Sequence, residues 1–220
     1  MDKNEQQIKS TLQRISNTLM INGGFLDNPG LYTGEMGIVL FFARYAHFTQ
    51  NELYSNYSFD LIEKIQERID HDTPVNYRYG LSGIGSAFEY LVQNDFFEAD
   101  ADDILDDFDK RIFSVHNLTC LPVDEILGIG YYALWRMSGN SLKKETVHQT
   151  ILPQIEHVLK DRQIKNNIPV LGKNTKNDFF SNNNSHSEVQ TGLALNGLSL
   201  LTELDGDDSW ISLFPNDLNY

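Results

Sequence analysis

The chain has one cysteine, Cys120, in 220 residues. An intrachain disulfide is therefore excluded, and with it the bridged framework of small secreted domains. Long apolar runs are also missing: nowhere do about 18 apolar residues follow one another, the length a helix needs to cross a bilayer. The opening residues, MDKNEQQIKSTLQR, lack the apolar centre of a secretory signal, so a cytoplasmic location is expected. Bases are in the minority, 17 Lys and Arg against 31 Asp and Glu, for a net charge of −14. That balance repels phosphate backbones and anionic lipid, so neither nucleic acid nor membrane is an expected partner. A basic peptide suits the charge, and so does plain solubility. No segment alternates apolar and polar residues with the period of two that marks a half-buried strand, which leaves an all-α fold.

What the chain has instead is a glycine-marked apolar segment, four times over. It reads GLYTGEMGIVLFF (30–42), YGLSGIGSAFEYL (79–91), EILGIGYYALWRM (125–137) and TGLALNGLSLLTEL (191–204). With Gly37, Gly83, Gly128 and Gly197 aligned, the spacings are 46, 45 and 69 residues. Such a period signals one supersecondary unit repeated. Between the segments lie amphipathic stripes: Ile8, Leu12, Ile15 and Leu19; Ile62, Ile65 and Ile69; Ala101, Ile104, Leu105, Phe108, Ile112 and Val115; Val147, Ile151, Ile155 and Val158. Asn22-Gly23-Gly24 ends the first, Asp72-Thr73-Pro74 the second, and Pro153 should kink or split the fourth. Seven of the twelve residues from Glu98 to Asp109 are acidic, and they read as a solvated helix face with its charge at the N-terminal end. The pattern is an amphipathic helix, a turn and an apolar helix, repeated as about four hairpins in one domain, 1–220. The glycine helices form an inner layer and the charged ones an outer layer. The extra length of the last unit, 166–190, holds seven asparagines and reads as a long polar loop.

Glycine at a helix start lets backbones approach and leaves N–H groups free for an anion or carbonyl. The run Gly80-Leu81-Ser82-Gly83-Ile84-Gly85 is not a phosphate loop, because it lacks the Lys-Ser/Thr pair and no strand precedes it. Four copies favour a repeated packing interface over one ligand cradle, which makes Gly34, Gly37, Gly80, Gly83, Gly85, Gly128, Gly130 and Gly197 packing glycines. Asn196 is expected at a cap or turn, and Cys120 as a buried small hydrophobe. Ser185 to Glu188, SHSE, holds a nucleophile and a base, but neighbours in sequence do not make a triad. Asp124 and Glu125 pair two carboxylates at a helix start, where acids are ordinary partners of the dipole.

GLYTGEMGI and GLSGIG, each followed by an apolar helix, and GLALNGLSLLTEL followed by a tail with Trp210 and Leu213-Phe214, resemble the lanthionine synthetase C-like (LanC-like) family. The resemblance runs along the whole chain as a series of repeats, with ILGIGYY the weakest. It implies an α/α toroid. On that toroid's rim, Tyr32, Glu35, Tyr77, Arg78 and Tyr79, with Asp124 and Glu125, are candidates for peptide contacts. Cyclases of the family bind zinc, which activates a cysteine thiol of a peptide for addition to a dehydrated serine or threonine. Their signature is a cysteine on one late repeat and an adjacent Cys-His pair on another. Neither motif is here. His116 and Cys120 offer two donors where a stable site needs three or four, so neither a metal nor another cofactor is expected.

Four hairpins are fewer than the family's closed double ring. The array is expected to be small, open, or completed by another chain. An open array would leave Ile38, Leu40, Phe41, Phe88, Leu91, Tyr131, Tyr132 and Trp135 uncovered, pointing to a peptide, a modifying enzyme or a second copy as partner. The functional expectation is a non-catalytic accessory of lanthipeptide-type modification. The alternatives are a zinc-dependent cyclase completed by a partner chain, or an unrelated α/α-toroid enzyme acting on carbohydrate.

Overall fold

In the computed structural model, the described residues are 3–114, 117–162 and 186–215. All regular elements among them are helical, as the sequence leads one to expect. In order they are α1 (Lys3–Asn22), a 3-10 turn (Gly23–Phe25), α2 (Glu35–Thr49), α3 (Glu52–Arg68), α4 (Leu81–Gln93), α5 (Ala101–Phe113), a 3-10 turn (Leu118–Cys120), α6 (Val123–Ser138), α7 (Lys144–Thr146), a π segment (Val147–Ile151), α8 (Leu152–Asp161), α9 (His186–Asp205) and a 3-10 turn (Ser209–Leu213).

The two helix classes are distinct in burial. In α1 the stripe Ile8, Leu12, Ile15 and Leu19 is buried with Ser16, and the other faces are wet or half-covered. In α2 every residue from Glu35 to Ala46 is buried, and in α4 every residue from Leu81 to Leu91. The eight side chains expected on an open inner face are all buried within the single chain. Burying each is worth roughly 1.5–3 kcal/mol.

The helices fall into two compact units, one of α1, α2, α3 and α9, the other of α4 to α8. In the first, α2 packs on α3 and on α9, and α9 on α1. In the second, α4 packs on α5 and on α6, and α6 on α8. Both units thus pair two glycine helices and flank each with an amphipathic one. The phase differs from the sequence reading: α2, α4 and α6 take as partner the amphipathic helix that follows, and α9 takes α1. The α2–α3 join shows the local cause. Gln50 ends α2 in the left-handed region, φ 52, with its N–H on the Ala46 carbonyl. The Asn51 side chain then caps α3 by accepting from the Leu53 N–H at 3.0 Å.

Three boundaries differ from expectation. α9 begins at His186, so 186–190 is helical rather than loop, while 166–185 lies outside the described residues. Asn196 is therefore inside α9, exposed, and not a cap. Gly197 is likewise mid-helix, and Gly128 sits in the second turn of α6 rather than at its start. Pro153 acts as expected, by a specific device. It stands in the first turn of α8, and the preceding residues widen into the π segment, which accommodates its missing N–H.

Candidate functional site

Tyr32, Tyr77, Arg78 and Tyr79 sit on two turns of the same design, one before α2 and one before α4, and Glu35 opens α2 itself. In the first, the Asn28 carbonyl accepts from the Glu35 N–H at 2.9 Å and the Pro29 carbonyl from the Met36 N–H at 3.3 Å. The Asn28 Oδ1 also accepts from the Gly30 N–H at 2.8 Å. In the second, the Pro74 carbonyl accepts from the Leu81 N–H at 2.9 Å, and Asn76 Oδ1 from the Tyr79 N–H at 2.9 Å. The first amides of α2 and α4 are therefore bonded by their own turns, and are not free to meet an anion as the sequence allows. Gly34 and Gly80 have extended backbones, φ −136 and −122, which any residue can adopt. Space is what requires glycine: a Cβ would lie 2.3 Å from the Asn28 oxygen at Gly34 and 2.0 Å from the Pro74 oxygen at Gly80.

Other glycines meet side chains or neighbouring segments. A Cβ at Gly197 would lie 2.3 Å from the Phe41 ring, one at Gly85 2.6 Å from the Tyr132 ring, and one at Gly37 2.9 Å from the Thr191 methyl. At Gly128 it would be 3.0 Å from the Tyr77 backbone N. Gly83 and Gly130 are buried within α4 and α6.

The turns present their candidates unequally. Tyr32 and Arg78 are half-buried and Tyr79 is exposed, with the Arg78 guanidinium 5.8 Å from the Tyr79 ring centroid. Tyr77 is buried, its ring 5.8 Å from that of Tyr131, and burial pushes its phenol above the usual range. Glu35 is fully buried. Its Oε2 accepts from Arg68 Nη1 at 2.9 Å, while Oε1 has no partner among the described residues. Burial pushes this carboxyl up to about 7, against the pull of Arg68 and Lys64. Asp124 is exposed and Glu125 half-buried in the first turn of α6, and burial followed by the Asp124 charge raises the Glu125 carboxyl.

Residues not singled out from the sequence hold each unit together. In the first, buried Arg44 of α2 pairs with Asp205 of α9 at 3.0 Å and donates to the Asp207 carbonyl at 2.9 Å. In the second, buried Arg136 of α6 meets Glu89 of α4 at 2.5 Å and Asp109 of α5 at 3.0 Å, and also pairs with Asp102. The Tyr132 hydroxyl donates to Asp109 at 2.6 Å. Part of the acidic run is thus structural rather than a solvated face. Above this network lies a cleft of about 490 Å³ lined by Glu89, Gln93, Asp100, Asp102, Ser141 and Leu142. Glu89 and Asp102 face it with their charge already met by Arg136.

Cys120 is exposed, not buried. It closes the 3-10 turn Leu118–Cys120, which Arg162 clamps from outside by donating to the Thr119 and Leu121 carbonyls. His116 and Ser185 lie outside the described residues, as do the side chains of His186 to Glu188. Among the described residues, no three of His, Cys, Asp and Glu come together as a metal site, so the family's zinc has no matching donor set there. No helix among them is long and apolar enough to cross a membrane.

Comparison with curated proteins and with solved structures finds no match. Comparison with family models matches residues 26–199 to the family described as lanthionine synthetase C-like protein.

Proposed function

The chain belongs to the lanthionine synthetase C-like family, and from that premise we propose that it is a peptide-binding accessory of lanthipeptide-type modification rather than a cyclase in its own right. One observation carries the reading: a family match spanning residues 26–199 runs through a chain with a single, exposed cysteine and no Cys-His pair. A metal that activates a peptide thiol for attack is itself held by three or four donors, and the accessory role needs none. The contacts belong to Tyr32, Arg78 and Tyr79, which stand on the capping turns with aromatic and cationic surface in reach of solvent. Glu35 and Tyr77 support those turns from beneath. The net charge of −14 favours a peptide with basic residues.

The test uses a fluorescein-labelled linear peptide of about 20 residues, basic and rich in Cys, Ser and Thr, read by anisotropy. Binding is expected to weaken about 5- to 20-fold in Arg78→Ala and Tyr79→Ala, the range of 1–2 kcal/mol for a cation–aromatic pair at a contact. In parallel, a peptide carrying one cysteine and one dehydroalanine is incubated with the protein and zinc. Its free thiol is expected to persist. A thiol count that falls with enzyme-like turnover establishes a cyclase and overturns the accessory reading.

A further inference from the structure

Glu35 is an acid at a position where the repeat elsewhere carries an apolar residue. With Gly34 laid over Gly80, the equivalent residue is Leu81, equally buried. Glu35 is 0% exposed, with one oxygen on Arg68 and the other without a partner among the described residues. Ionised, it holds a desolvated charge with an oxygen unmet; neutral, it sheds the larger of those costs. The groups that face it are Arg68, Lys64 and Tyr57 of α3 and Asp27 of the turn itself. From α1, the Leu19 carbonyl accepts from the Tyr57 hydroxyl at 3.0 Å, and α9 brings the uncharged Thr191 against Gly37.

We propose that Glu35 is a proton-controlled latch on the 27–34 turn: neutral, it lets the turn pack over the start of α2, and ionised, it drives the turn open so that water reaches the carboxylate. Arg68 opposes opening, because it attracts the carboxylate and also grips the Leu26 carbonyl. Burial nevertheless outweighs it, holding the closed-state carboxyl at about 7, while a solvated one returns toward 4.5. The closed turn therefore binds the proton more tightly than the open turn. By linkage, acid favours the closed form and rising pH through neutrality favours the open one.

The amides of Gly30, residue 35 and Met36, all bonded within the turn, report its closure. Their hydrogen exchange is measured at pH 6 and pH 8.5 and expressed as protection relative to the intrinsic rate at each pH. In the wild type, protection falls about ten-fold between the two, within the limit of roughly ten-fold per pH unit for one proton, while the interior of α4 is unchanged. Glu35→Gln and Glu35→Leu, the second matching Leu81, keep high protection at both pH values. Arg68→Gln steepens the pH dependence. The latch is refuted if the wild type is flat across this range, or if Glu35→Gln loosens the turn at pH 6, since the ion pair would then be what holds it. Should a variant lose α4 protection as well, the wild-type Glu35 carboxyl is titrated directly by its ¹³C shift, where a midpoint below about 5 overturns the proposal.

Discussion

A guanidinium with no solvent exposure stands in a folded chain only when each of its neighbours answers it, and Arg136 has three carboxylates around it, from Glu89, Asp102 and Asp109. Arg136→Leu removes the cation, leaves Glu89 buried with uncompensated charge and leaves Asp109 with Lys143 and the Tyr132 hydroxyl alone. The expected loss is about 3–5 kcal/mol, read as a lowered urea midpoint. Glu35 gives a second expectation with a definite sign. Its carboxyl binds protons more tightly folded, at about 7, than at its ordinary value of 4.5. Its contribution to stability is thus fully present below 4.5 and is lost as pH rises through 7, up to about 3 kcal/mol. Urea midpoints at pH 5 and pH 8 should differ less in Glu35→Gln than in the wild type. These residues were within reach of the sequence. Arg44, Glu89 and Arg136 each interrupt an apolar run, as FFARYA, AFEYL and ALWRM show, and a charge in such a run is either paired or out of place. Which partner it takes was not legible, because pairing is settled by packing between segments far apart in the chain.

At the scale of the element, the same glycine letter serves two physical ends. Gly34 and Gly80 make room for a backbone carbonyl that cannot retreat, whereas Gly85 and Gly197 make room for aromatic rings that can. Gly34→Ala and Gly80→Ala should therefore each cost more, about 2–4 kcal/mol, than Gly85→Ala, at about 1–3 kcal/mol with Tyr132 rotated aside. Thermal denaturation of the three variants gives the order, and equal losses would show that the turns yield. Periodicity located the helices well: the stripe Ile8 to Leu19 is the buried face of α1, and Asn22-Gly23-Gly24 does end it. Motif alignment misled on phase. A repeated glycine marks a repeated close approach, not a repeated helix start, so Gly37 lies in the first turn of α2 while Gly197 lies deep inside α9. Burial of Cys120 failed for a related reason. Its turn has no stripe of its own and is fixed by Arg162 from the solvent side.

For the whole molecule, the two units share one plan and are built from different stretches of chain. α4 to α8 follow one another, while α9 is added to α1, α2 and α3 from far along the sequence. A break in α9 should therefore be felt selectively. Leu198→Pro, at a fully buried position in that helix, is expected to raise amide exchange across α1 to α3 and to leave α4 to α6 protected. Uniform loss of protection would show that the units unfold as one. The family was readable from the glycine phrases; the division into units was not, since it depends on which apolar face meets which.

That late arrival of α9 sets a schedule for biosynthesis. On the ribosome, α2 emerges early, yet the Gly197 surface against which Phe41 rests is translated only after α3 to α8. The nascent chain must carry the α9-facing side of α2 uncovered while α4 to α8 are made and find their neighbours. Distant contacts close slowly and leave sticky surface in the interval. Refolding from urea should show the same order in miniature, with pulse-labelled amides of α4 to α6 protected in a fast phase and those of α2 and α9 together in a slower one. The first glycine helix is thus made early and covered late, and its exposed face is the surface the growing chain carries longest without its partner α9.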